Sequence, residues 1–573
     1  HNQLLGYNLI FKNSDNNFDL GDLGFLSPHN HESIVYGDLK YPSFFINQNP
    51  NHNHFLYGSC RKLQGDGEDR LSNGDDIIDQ HHSKPDQRPS ALFLTGDQIY
   101  ADDIPDPIFR VISKLAKQLI GKHEDLQAID KRLSFEPFKR SIFQINGRQF
   151  IMEKFCKFTS SSAHNHLMTL GEYAVLYLLS WSPALWAVAQ EQDLYESFDD
   201  AVNHDHIYFN FPNNDDYAKE HQKEKSKLLE RYEGQQEAII TFQTSLYKIR
   251  RLLANIPVYM IFDDHDITDD WNITERWKND VSHSPLGKHV ITNALTAYWG
   301  FQGWGNDPDA FNQDFISTIQ KYLWSFLHDT VETSYYQRWI DVIWEDDQWQ
   351  FVAPTAPKAL FLDTRTQRKY DIEPRPVKIG SIIEEAPQTA QLINRKGWDN
   401  TNQLLSSSGW QHGEPLIIVS ATPMYGVGLI ESFLHRYVYP LRVLGVNVHT
   451  LFDFESWKYN VKGFTAFLLQ VEKWRPDPCI ILSGDVHYGS AVDANVYYRH
   501  GQQVKINQFT VSPLKNMSFG QVWGFLLKMV LNINKRRRNK KNIYRYCDTS
   551  YQIRYIEEKE FTDCSFIWKD KLR

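Results

Sequence analysis

The chain is punctuated by short apolar runs, several of them ending at glycine, that are followed at once by polar and ionisable residues. Phe55 to Cys60, Ala91 to Thr95, Val258 to Phe262, Ala359 to Leu362, Leu416 to Ser420 and Cys479 to Leu482 each have the length and content of a buried strand. Between them helical spacing dominates. Residues 104 to 250 read mostly as helices, closing with an amphipathic stretch that Pro257 ends. Residues 285 to 345 carry aromatic helical faces, and Glu455 to Glu472 reads as a further helix. Residues 1 to 45 read as short strands and turns, and Gln64 to Pro89, dense in Gly, Asp, His and Pro, as a loop. Strands alternating with helices predict an α/β core with helices layered on sheet.

This pattern divides the chain into a β-rich segment over 1–45, in keeping with the remnant of a truncated domain, a catalytic core over 46–515, and a helical, basic extension over 516–573. The core contains the helical insertion 104–250, expected to cap the site. At 41% hydrophobic and 23% charged residues, with 16 Trp and 29 Tyr, the composition is that of a folded protein with aromatic-lined pockets. The net charge of −10 argues against nucleic acid as a bound partner. Five scattered cysteines suggest no disulfide framework and leave the compartment open. No signal peptide is read in the opening residues. The uncharged run Tyr173 to Ala189, interrupted by Ser180, Ser182 and Pro183, fits a buried helical hairpin better than a membrane span of about 20 residues. Apolar Val522 to Ile533 precedes a basic run at 535–541, so 522–541 is a candidate for contact with a membrane surface or simply a solvated helix end.

The chemistry lies at the strand ends. Asp97 and Tyr100, three residues apart, are placed for a tight turn to aim at one ion; phenolate is a hard donor suited to a strongly Lewis-acidic ion such as ferric iron. Asp485 and His487 follow another buried strand and, if extended, share one face. Asp263-Asp264-His265-Asp266 puts four ionisable residues directly after five apolar ones, a crowding that a cation relieves. Cys60 reads either as a small buried hydrophobe or as a thiolate donor, its pKa lowered by Arg61 and Lys62. Arg365 suits a bidentate pair with phosphate, or with Asp363 or another carboxylate. Together these features read as a metallohydrolase.

GSCRK at 58–62, GDQIYADD at 96–103, DDHDITDDWN at 263–272, LDTR at 362–365 and SGDVHYGSA at 483–491, in that order, resemble the alkaline phosphatase D (PhoD-like) family of the calcineurin-like metallophosphoesterases. The resemblance implies a four-layered sandwich of two mixed β-sheets flanked by helices, and hydrolysis of phosphate monoesters and diesters with ferric iron and calcium. It implies that Asp97 bridges the metals, that Cys60, Tyr100 and His487 complete the iron site, and that Asp264 and Asp485 face calcium. His265 then assists the leaving group or holds the attacking water, and Arg365 neutralises phosphoryl charge. A manganese or zinc pair is the alternative loading. Where many superfamily members carry a histidine before the last motif, Ile417 to Pro423 has none. The expected partner is a small organic phosphate ester. The competing functions are a specialised diesterase acting on nucleotide, phospholipid or teichoic-acid-like substrates, and a non-catalytic metal-binding module. Family members are commonly exported.

Overall fold

The computed structural model describes residues 3–13, 16–121, 124–325, 333–371, 376–379, 382–385, 390–426, 456–511, 513–516, 543–561 and 563–572. Two sheets form the centre. Strands β1 (Phe55–Gly58), β2 (Ala91–Leu94) and β3 (Val258–Met260) make a parallel sheet with β2 in the middle. Strands β4 (Phe351–Ala353), β5 (Lys358–Leu362), β6 (Leu416–Ser420), β7 (Cys479–Ser483), β8 (Ser490–Tyr498), β9 (Gln503–Thr510), β10 (Tyr544–Cys547), β11 (Ile553–Ile556) and β12 (Phe566–Leu572) make a mixed sheet of order β11-β10-β12-β8-β9-β7-β6-β5-β4. Its middle, β5-β6-β7-β9, is parallel and in register, with Ile418 opposite Leu360 on one side and Ile481 on the other.

The two-residue period of each strand divides its side chains between two cores. Ala91 and Phe93 of β2 point toward Ala359 and Phe361 of β5 and Ile417 and Val419 of β6, so the sheets pack face to face. Phe361 lies stacked on Phe351 at 4.5 Å between ring centroids and edge-on to Phe93 at 5.4 Å, the arrangements the aromatic quadrupole favours. The alternate residues face outward. Leu92 and Leu94 meet Ile78 of helix α1 (Ser72–His81) and Ile249 and Leu252 of the long helix whose range is Ala218–Ala254. On the far side Leu360, Leu416 and Ile418 meet Trp398 of helix Arg395–Ser407 and Phe464 and Phe467 of helix Val461–Trp474. Continuous apolar runs were required because each strand is covered on both faces.

Between β2 and β3 the chain builds helices around a separate apolar core that includes Ile108, Phe109, Tyr173, Phe242 and Val290. The uncharged run at 173–189 is a pair of helices, Leu170–Trp181 and Ala184–Glu191, the first buried along most of its length. No helix among the described residues is long and apolar enough to cross a membrane. In the N-terminal segment, Leu5–Gly6 pairs with Ser43–Phe44, and Ile10–Lys12 with Asn17–Asp19.

Three expectations change. The stretch read as a loop at 64–89 contains α1, whose Asp75 is buried and bound by Arg251 and by the Tyr36 hydroxyl; tertiary pairing outweighs the local breaker composition. The C-terminal extension, expected to be helical, supplies strands β10, β11 and β12 where it is described, and β12 pairs with β8 over seven positions. The candidate membrane-surface run 522–541 lies outside the described residues. The smaller sheet, expected to be mixed, is parallel among its described strands.

Truncating the ring at the sheet interface tests this packing. Phe361→Ala is expected to lower the unfolding free energy by about 3–5 kcal/mol, read from the midpoint of a denaturant titration.

Candidate metal centre

The carboxyl ends of β1, β2, β3, β5 and β7 converge, and the motifs follow them: Cys60 after β1, Asp97 and Tyr100 after β2, Asp263 to Asp266 after β3, Arg365 after β5, and Asp485 and His487 after β7. The strand ends approach too closely for an ordinary residue at one junction. A Cβ on Gly484 would stand 2.5 Å from the Cβ of Ser59 and 2.8 Å from the Thr95 hydroxyl. Gly96, at φ +120°, leaves room for Asp263 in the same way. The next residues turn sharply: Cys60, Asp97 and Asp485 all sit in the left-handed region, at φ 55°, 52° and 65°. A backbone conformation that non-glycine residues rarely take, at three of the six expected ligands, marks a site where side-chain aim outranks local comfort. The positive φ of Asp485 also replaces the extended geometry expected for Asp485 and His487.

One carboxylate ties the loops together. Asp266, fully buried, accepts the backbone N–H groups of Asp97 (2.9 Å), Gln98 (2.9 Å) and Ile99 (3.2 Å) from the loop after β2, and that of Asp263 (2.9 Å) from its own loop. Burial pushes its pKa up to about 7 against the pull of these donors. The Ala101 N–H donates to the His265 carbonyl at 2.8 Å and completes the join.

This bracing crowds Asp97, Asp263 and Asp264, each of which brings a carboxylate oxygen within 4.8 Å of the other two. All three are buried. The Oδ1 of Asp97 accepts no hydrogen bond among the described residues, while its Oδ2 accepts from the Tyr100 hydroxyl at 3.4 Å. Burial drives the Asp97 pKa well up, His265 offsets part of the rise, and the carboxylates of Asp263, Asp264 and Asp266 add to it. Burial and the nearby Asp97 likewise push up the Cys60 thiol and the Tyr100 phenol. A buried set of O and S donors that repel one another when ionised fits a bound cation, which would stabilise all of them in their charged forms.

The remaining ligand candidates adjoin this cluster. The Cys60 thiol donates to the Asp485 carbonyl at 3.7 Å. Asn516, which no motif suggested, contacts both the Tyr100 hydroxyl (2.5 Å) and His487 Nε2 (3.2 Å). Burial lowers the His487 pKa to about 4, with His265 and Lys62 adding to the fall, so its imidazole is neutral and able to donate a lone pair above that pH.

Two expected roles change. Arg61 does not activate Cys60: its guanidinium turns away to Asp69 (2.7 Å) and the Ser180 carbonyl (2.5 Å) between the rings of Trp181 and Phe242. Arg365 is not an open phosphate clamp. It is 1% exposed, and its guanidinium binds Asp263 and, at 3.1 Å, Asp264, whereas Asp363 accepts backbone N–H groups from Arg365 and Thr366. It holds the two carboxylates in place. Asp263 thereby joins the metal-binding candidates, although the sequence reading placed only Asp264 there.

His265 stacks on Tyr100 at 4.3 Å and reaches the opening, with its side chain 24% exposed. Its Nδ1 meets the Asp102 carboxylate at 2.8 Å, and the Ser160 hydroxyl from the helical insertion donates to the other Asp102 oxygen at 2.8 Å. Burial opposes the His265 charge, but Asp102, with Asp264 and Asp97 adding to it, outweighs burial and the imidazole pKa is raised well above the usual range. Asp102 had a visible signal, a carboxylate two residues beyond Tyr100; Ser160 and Asn516 had none.

Replacing the brace leaves buried donors unmet. Asp266→Asn is expected to cost about 3 kcal/mol or more in denaturant-measured stability, and to reduce bound metal per chain as the two loops separate.

No family model matches the chain, and no curated protein matches it. Among solved structures, one titled "Structure of PhoD" is similar over 80% of this chain and 56% of its own, at 11% identity and a TM-score of 0.35. The chain thus spans a little over half the length of that structure.

Proposed function

We propose that this protein hydrolyses phosphate esters at a metal centre built on the strand ends, as a PhoD-like phosphomonoesterase or phosphodiesterase. The observation that carries the reading is the buried, unmet oxygen of Asp97 beside Asp263 and Asp264, at the meeting point of five strand ends. The order of the five motifs supports the phosphate ester class. Helices on the outer faces of two face-to-face sheets support the four-layered sandwich.

Cys60, Tyr100 and neutral His487 form a donor set suited to iron, and the carboxylates of Asp264 and Asp485 one suited to calcium, with Asp97 between them; a manganese or zinc pair is the alternative. When bound, such ions supply Lewis acidity for activating water and offsetting phosphoryl charge. The chain's own groups complete the reaction. As the oxygen of water bonds to phosphorus and the ester P–O bond breaks, protonated His265 gives its proton to the departing alkoxide, and one proton of the attacking water leaves to solvent while the other stays on the phosphate product. Asp102 keeps that imidazole charged and oriented, with the insertion's Ser160 fixing Asp102. Arg365 is a positioning residue that acts through Asp263 and Asp264.

Turnover of matched aryl phosphate mono- and diesters, by protein of measured metal content, tests the reading. Activity is expected to vanish on chelation and return with calcium, and Asp97→Asn to lose about 100-fold or more. A fully active Asp97→Asn protein that binds metal normally would overturn the assignment. The ratio of diester to monoester turnover separates a specialised diesterase from a general phosphatase. His265→Asn is expected to cost about 10²–10⁴-fold with alkyl phosphates and far less with nitrophenyl phosphates, whose leaving group needs no proton.

A further inference from the structure

Outside the strand-end centre, Glu196, His204 and His206 bring one ligand atom each within 4.8 Å of one another. They bracket the six-residue helix Phe198–Asn203, with Glu196 just before its Ser197 cap and the histidines at its end. Asp205, between the histidines, is left-handed at φ 57°, and the turn is closed by the His204 N–H on the Asp200 carbonyl (2.9 Å) and the His206 N–H on the Ala201 carbonyl (2.8 Å). This sets the two imidazoles side by side, 5.5 Å between centroids. The frame is fixed from outside as well. The His206 carbonyl accepts the Ile145 N–H at 2.9 Å, and the Glu196 carbonyl accepts the Tyr232 hydroxyl at 2.6 Å.

We propose that Glu196, His204 and His206 hold a further divalent cation, of the zinc type, clamping the two ends of the short helix. One carboxylate and two imidazoles are a donor set that zinc takes, with water in the fourth position, and the exposure of His204 gives an ion access. Without metal the trio is held by the His206 Nδ1 contact to Glu196 at 2.8 Å, with Arg110 at 3.7 Å and Lys114 at 3.6 Å from the same carboxylate. The cation replaces the first contact and competes with the other two charges, which moderates its affinity. None of these residues belongs to the strand-end centre, so the site stands apart from the proposed hydrolysis.

The test is a Zn²⁺ titration of metal-stripped full-length protein against a chromophoric chelator. Wild type is compared with His204→Ala and with His206→Gln, each also on an Asp97→Asn background. The expected result is one bound equivalent fewer in either variant, on both backgrounds, and loss of part of the Zn²⁺-induced rise in melting temperature. His204 is exposed, so an unchanged circular dichroism spectrum and zinc-free melting temperature confirm that His204→Ala is folded. Equal equivalents and equal thermal shifts in wild type and folded variants would overturn the site, whether or not the strand-end centre binds metal.

Discussion

The architecture of the centre depends on the Asp266 carboxylate. Four backbone N–H groups from two loops converge on it in a buried setting, three from the loop after β2 and one from the loop after β3. A carboxylate with its lone pairs occupied in this way cannot serve a metal as well. Its role is to hold Asp97, Asp263 and Asp264 close together against their mutual repulsion. Arg365 works from beneath in the same sense, neutralising part of the charge without reaching the opening. Structural and chemical carboxylates are therefore interleaved within a single tetrad.

The helical insertion is joined to this centre rather than merely lying over it. Ser160 fixes Asp102, Asp102 fixes His265, and the Leu167 N–H donates to the carbonyl of Ala101 in the loop between them. The insertion thereby fixes the orientation of the His265 imidazole through Asp102. The stretch after β9 has a comparable reach. Residues 513–516 run beside Cys60, with the Leu514 N–H on the Ser59 carbonyl and the Lys515 N–H on the Cys60 carbonyl, and so carry Asn516 to Tyr100 and His487.

Much of this was legible in the chain. The six apolar runs predicted as strands all occur, because burial on both faces demands continuous apolar sequence. The motif residues do come together at strand ends, because a parallel sheet delivers all its carboxyl ends to one edge. Helix α1 was not legible: Asp75 and Gly74 read locally as breakers, and the helix is stabilised by tertiary contacts, the pairing of Asp75 with Arg251 and Tyr36 and the close packing on Leu252. Strands β10 and β12 were missed because their mixed sequences form strands only through long-range pairing, β12 against β8 and β10 against β12 and β11.

The sequence alone thus determined the six central strands, the places where ionisable residues gather and the donor types available, since these follow from local pattern and side-chain chemistry. Only the tertiary structure decided what each of them does. It assigned Asp266 to bracing, Arg365 and Asp263 to each other, Asp102 to His265 and Arg61 to Asp69. All but the Arg61–Asp69 pair join residues from different loops, and which groups meet depends on distances that no local sequence rule contains.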